Sequence, residues 1–352
     1  MKALVLLVAG LALAGVESPV HGADRVVLVV GTGVKEPLGA PSLEVKLKEP
    51  FGVAFNREGE LFIIEMALGN RLLKRDRNGK IFQLAGGGPS EWAGDGGPMK
   101  GARFNGPHNL AISPDGVILI SDTWNGRIRR LDPNLDVVAT LAGFVAPLES
   151  ARESGPYCVT LDPAGTLLYI ADLRRVHLLD LRTGKARVVA GNGEKGPPKD
   201  GALATEAPLV DPRAAAADKQ GNVYILERGG HALRVVDSQG RIRTVVNARG
   251  LKGSSGDGGP AFEATLNGPK HLCVDANDDV IIADAENHLI RKFIPKEGRI
   301  QRVAGTGRQG SAGLGGPPEQ AELARPHGVT IGPDGLLYIT DTYNHRILRI
   351  ER

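Results

Sequence analysis

Cysteine is nearly absent: Cys158 and Cys273 are the only two in 352 residues, which rules out the several bridges that hold small disulfide-framed scaffolds together. Aromatic residues are also scarce, at 4%, whereas glycine occurs 48 times, so the chain has to build small aliphatic cores joined by many tight turns. Neither sign of charge dominates. With 43 lysines and arginines against 40 acids the formal net charge is +3, which gives a polyanion such as nucleic acid no general electrostatic reason to bind. Long apolar runs are missing too, apart from the first residues, MKALVLLVAGLALAG. That run follows Lys2, has the length of a signal peptide and is short for a membrane span, so residues 1–23 are read as a leader cleaved after Ala14 or Ala23. Residues 24–352 are then a single exported domain, periplasmic or extracellular, with no membrane span in the mature form.

What the chain does have is repetition. One block starts six times, at Pro50, Pro107, Pro156, Pro212, Pro269 and Pro326, and its clearest copies are PHNLAISPDGVILISDTWNGRIRRLD and PHGVTIGPDGLLYITDTYNHRILRI. A period of roughly 50 residues marks a propeller or solenoid. After each proline, apolar residues alternate as in Val53 and Phe55 or Val329 and Ile331, the period of a strand. A turn with glycine at positions 59, 116, 165, 221 and 335, or Asp278 in the fifth copy, leads to a second strand that ends on an acid: Glu65, Asp122, Asp172, Glu227, Asp284 or Asp341. A basic, aliphatic third strand and a fourth complete a blade. The sixth copy stops at Arg352 without a fourth strand, and RVVLVVGTG from Arg25 matches RVAGTG from Arg302. The expectation is an all-β fold, a six-bladed β-propeller of four-stranded antiparallel blades, closed by the N-terminal strand pairing with the C-terminal blade.

The acid followed by Asn, a variable residue and the third strand resembles the NHL repeat. Asn287, His288, Leu289 spell the motif, and Asn344, His345, Arg346 and Asn125, Gly126, Arg127 are close to it; Arg175 and Gly230 replace the asparagine in the third and fourth copies, whose His177 and His231 are read as lying in third strands. The resemblance covers nearly everything after the leader. It implies a propeller without implying an activity.

Features that recur in every blade are assigned to structure. The six acids are read as acceptors for their turns or partners for third-strand cations. The glycine loops at Gly94–Pro98 and Gly256–Pro260, both GDGGP, and GLGGP at 313–317 are read as tight turns, since one carboxylate per loop is sparse for calcium. GTGRQG at 305–310 lacks the following helix that a dinucleotide fingerprint needs. Cys158 and Cys273, at the starts of first strands in different blades, are read as buried free thiols.

The informative column is the residue directly after each initial proline: Phe51, His108, Tyr157, Arg213, Lys270 and His327. These six would ring the entrance of the central channel, the default place for a ligand. The repeats also resemble the propeller of the peptidyl-hydroxyglycine amidating lyase, which implies zinc held by histidines at this position in alternate blades. The alternate set here is His108, Arg213 and His327, so a divalent metal such as zinc would have only His108 and His327, because arginine cannot ligate. His271 sits one residue late and is read as facing away. No cofactor is required by the sequence.

Two functions remain. The first is a monomeric binding or interaction scaffold, taking a protein, peptide or small-molecule ligand through the channel mouth and inter-blade loops. The second is an amidating-lyase-like or lactonase-like enzyme at the same mouth, in which His108 and His327 hold a metal or move a proton, Arg213 and Lys270 hold an anionic group and Tyr157 orients the substrate.

Overall fold

The computed structural model describes residues 24–145 and 155–352; the expected leader, residues 1–23, lies outside them. Six antiparallel sheets follow one another in chain order, and the first strands of neighbouring sheets touch all the way round the ring. Blade 2 shows the pattern, with strands Asn109–Ile112, Ile118–Asp122, Arg127–Asp132 and Val137–Val145. Blade 6 has three strands of its own and takes Arg25–Gly31 as its fourth, paired from Arg25 opposite Glu351 to Gly31 opposite Arg346. The expected closure is therefore present. Blade 1 carries a fifth strand, Leu38–Pro41, outside Lys80–Gly86, which the sequence reading does not anticipate.

No blade is thick enough to have a core of its own. The buried apolar residues fall into six clusters, one at each junction between blades; at the closure, Val53, Ile63, Leu73 and Ile81 of blade 1 pack with Val30, Tyr338 and Ile347 of blade 6. Strand alternation puts one row of each blade into the junction before it and the other into the junction after it.

The recurrent acids hold the blades to their loops. Asp122 accepts from the Asn105 backbone N–H at 2.8 Å and from Asn125 Nδ2 at 2.9 Å, with Arg129 Nη1 at 3.3 Å. Asp284 repeats this with Asn267 N at 2.8 Å, Asn287 Nδ2 at 2.8 Å and Arg291, and Asp341 with Ala324 N, Asn344 Nδ2 and Arg346. Burial nevertheless pushes the Asp122 and Asp284 carboxyls up to about 6. The degenerate third blade substitutes His177, 2.7 Å from Asp172. The GDGGP aspartates do more than turn the chain: Asp95 Oδ1 accepts from Arg129 Nη2 at 2.7 Å and Asp257 Oδ1 from Arg291 Nε at 2.8 Å, tying each loop to a fully buried arginine.

The histidine of the motif has a separate task. His288 and His345 close the turn after the acid with left-handed backbone, φ 57° and 52°, and their Nδ1 atoms accept the N–H of Arg325 and Glu49, each at 3.0 Å. His231, expected in a third strand, occupies the same left-handed turn and accepts from Gly268 N at 3.0 Å. In blade 1 Asn70 Oδ1 takes the N–H of Gly106 at 2.8 Å. Every recipient is the residue immediately before an initial proline, so each clasp fixes the start of the next blade.

Two outcomes are expected. Deleting residues 24–31 exposes a strand edge and lowers the melting temperature by about 5 °C or more, or drives association visible by light scattering. His288→Gly relieves the left-handed backbone but loses the acceptor, so denaturant unfolding shows a loss of about 1–3 kcal/mol, while His288→Asn, which mimics Asn70, retains most of the stability.

Candidate functional site

The six post-proline residues converge. Phe51, His108, Tyr157, Arg213, Lys270 and His327 all line one cavity of about 290 Å³ at the channel mouth, close to the lower limit of about 300 Å³ for ligand pockets. The clasps set the residue before four of the six prolines, and backbone N–H groups of His108, Tyr157, Lys270 and His327 bond to the end of the adjoining second strand at 2.8–3.1 Å. Side-chain direction is thereby fixed before any ligand arrives.

Strand alternation does not hold at this entrance. In blades 2 and 5 the strands start only at Asn109 and His271, and in blades 1 and 4 the register slips between Pro50 and Gly52 and between Pro212 and Ala214. Consecutive residues can therefore both face the axis. His271, expected to point away, lines the mouth beside Lys270 and bonds through Nε2 to Asn109 Nδ2 at 3.0 Å, reaching from blade 5 to the opposite blade 2. The same two residues also line the larger cavity of about 420 Å³ on the far side, whose walls are mainly apolar and include Val53, Val159, Ala216 and Cys273. Asn109 has no signal in the sequence, because the column it shares with His271 otherwise holds Gly52, Cys158, Ala214 and Gly328.

A second set of lining residues comes from the turns after the acids: Met66, Trp124, Arg228 and Tyr343. Their signal was a second variable column one or two places past each acid. Arg325, just before Pro326, and Glu49, just before Pro50, complete the rim.

Chemically the mouth is basic and aromatic. Arg213 Nε lies 2.8 Å and Arg228 Nη1 3.2 Å from Asp211, and Lys270 Nζ lies 3.8 Å from Glu286, which Arg325 also engages. The Arg213 guanidinium stacks 3.6 Å above the Tyr157 ring. Burial, then the field of Arg213 and Lys270, holds the His108 imidazole down at about 3; burial, Lys270 and Arg325 hold His327 well below its ordinary value. His271 is held down at about 4 by burial. Lys270 itself is brought down to about 7 by burial and by Arg228 and Arg213. The group poised for proton exchange near neutrality is thus Lys270 and not either histidine assigned that task from sequence.

Zinc does not suit these residues. The third alternate position is Arg213, Phe51 stacks on His327 at 4.2 Å and meets His108 edge-on at 5.1 Å, and His108 Nδ1 is engaged by the Gly106 carbonyl at 2.7 Å. Four cations surround the cavity, and among the described residues no group of three or more His, Cys, Asp or Glu is placed to hold a metal ion. The expected pairing of His108 and His327 on a divalent ion thus finds no third ligand among the described residues. Cys158 and Cys273 are free thiols pushed up to about 12 by burial, as far from nucleophilic use as the sequence implied.

One consequence is directly measurable. Amine-specific acylation followed by peptide mass spectrometry shows Lys270 labelled with a midpoint near pH 7, far below the roughly 10.4 of a free lysine side chain. A Lys270 midpoint above pH 9 contradicts the electrostatic picture.

Comparison with known proteins agrees with the architecture. The NHL repeat model matches residues 266–293 and 323–350, and the teneurin NHL domain model matches residues 93–255. NHL repeat-containing protein 2 of Gallus gallus is 27% identical over 336 residues, covering 85% of this chain; the chain spans 46% of that relative's length. Among solved structures, an auxiliary nutrient binding protein of Bacteroides thetaiotaomicron superposes with a TM-score of 0.66 at 16% identity, covering 93% of this chain and 76% of its own. Virginiamycin B lyase of Staphylococcus aureus superposes with a TM-score of 0.55 at 14% identity, covering 94% and 99%. At such identities the superpositions show the fold alone. The chain is thus a six-bladed β-propeller whose residues 266–293 and 323–350 match the NHL repeat and whose residues 93–255 match the teneurin NHL domain.

Proposed function

We propose that the protein is an exported, monomeric binding module whose channel mouth selects a small molecule or the end of a peptide. The observation that carries this reading is the convergence on one cavity of the six post-proline residues, one from each blade and no common type among them. Variation at the entrance of a recurring frame is the pattern of a rigid scaffold carrying a selective site. Export rests on the apolar stretch at the start of the chain; no described helix is long and apolar enough to cross a membrane. The nutrient-binding name of one structural neighbour is compatible with this use of the fold and adds no detail about the ligand.

A second reading, a lyase or hydrolase at the same mouth, is favoured by one observation: Lys270 is held near neutrality beside Arg213 and Tyr157. In that case Lys270 takes the proton while Arg213 steadies the developing charge.

A thermal-shift screen of small metabolites and short peptides separates these. The expected result is a ligand that raises the melting temperature of the wild type, loses that effect in Phe51→Ala and Tyr157→Ala, and is recovered chemically unchanged. Stabilisation that survives both substitutions moves the site elsewhere, and a cleaved or rearranged product moves the assignment to the catalytic reading.

A further inference from the structure

The blades are alike, but the mouth they form is lopsided. Along one arc, blades 6, 1, 2 and 3 present His327, Phe51, His108 and Tyr157, whose rings touch in succession at 4.2, 5.1 and 4.9 Å. Trp124 and Tyr343 extend this arc outward, at 6.2 Å from His108 and 6.0 Å from His327. The rest of the rim is cationic: blade 4 presents Arg213, stacked 3.6 Å above the Tyr157 ring at the end of this arc, and blade 5 presents Lys270, flanked by Arg228 and Arg325.

The acids behind these cations are shared. Asp211 serves both Arg213 and Arg228, and Glu286 serves both Lys270 and Arg325. Glu49 is the one further carboxylate on the lining, so four cations face three acids. Lys270 in particular makes only a 3.8 Å ion pair, leaving its ammonium donors available to a guest. A purely aliphatic guest would leave the cations unused. A flat ring matches the aromatic arc, and an anion matches the cationic rest of the rim.

We propose that the mouth takes a small planar aromatic molecule bearing an anionic group, its ring against Phe51 and Tyr157 and its anion between Arg213 and Lys270. This rests on the reading of the mouth as the binding site and adds the chemical class of the ligand. Carboxylate and phosphate share the required chemistry.

Calorimetric or NMR titration of the purified chain at neutral pH with benzoate, phenyl phosphate, benzamide and acetate tests it. Benzoate and phenyl phosphate are expected to bind with a Kd on the order of 1 mM or tighter, benzamide and acetate at least about tenfold more weakly. Arg213→Gln weakens benzoate roughly tenfold, and Lys270→Met gives the same loss should Arg213→Gln disturb blade 4. Benzamide binding as well as benzoate overturns the anionic requirement, and acetate binding as well as benzoate overturns the aromatic one. Failure of all four probes overturns the inference; if the thermal-shift screen still yields a ligand lost in Phe51→Ala, the mouth stands as a binding site and only its assigned chemistry falls.

Discussion

A carboxylate with no exposed surface, at the end of the second strand, is the interaction on which each well-formed blade depends. Taking it out of water disfavours its charge, which is why Asp122 and Asp284 lie near 6. The structure answers with a loop N–H, the motif asparagine and a third-strand arginine, and that asparagine also donates to an inter-blade loop carbonyl, as Asn125 does to Glu91 and Asn287 to Gly253. Loop, turn and strand are thereby joined at one point. Losing the arginine would leave a buried carboxylate without its counter-charge, a change that typically costs about 3–5 kcal/mol. The arrangement is stable only as a whole, which accounts for its recurrence in blade after blade.

From that junction the chain makes a left-handed turn, and the turn residue reaches forward to the next blade. The histidines of the motif act here as neutral acceptors, so their contribution is geometric. Because each accepts from the residue preceding a proline, the order of one blade becomes the position of its neighbour's entrance. The apolar clusters between blades act in the same direction, since every blade buries its faces against two others. A rigid ring with a variable rim follows from these two constraints.

The ring itself was legible in the chain: six prolines, alternating apolar positions, recurring acids and the orphaned strand at Arg25 were sufficient for blade number and closure. So was the post-proline column, because a repeat makes any position that varies conspicuous. What resisted reading was whatever breaks the repeat's own geometry. His271 was set aside by applying strand alternation one residue before the strand begins, and its partner Asn109 lies 162 residues away, beyond any local pattern. His231 was misplaced because two glycines precede it in a degenerate copy. The pairing of Asp95 and Asp257 with buried arginines was hidden for a similar reason: the third loop carries Leu314, and its arginine, Arg346, bonds to the Ser311 carbonyl instead. Arg228 and Arg325 required knowing that turn and loop meet at the rim.

The bond between Asn109 and His271 spans the axis at the level where the first strands begin. A propeller is often pictured as a uniform pipe, yet here the basic, aromatic mouth and the mainly apolar chamber meet at this one pair of side chains, which lines both. The two ends of one channel therefore present different chemistry and are free to serve unrelated molecules.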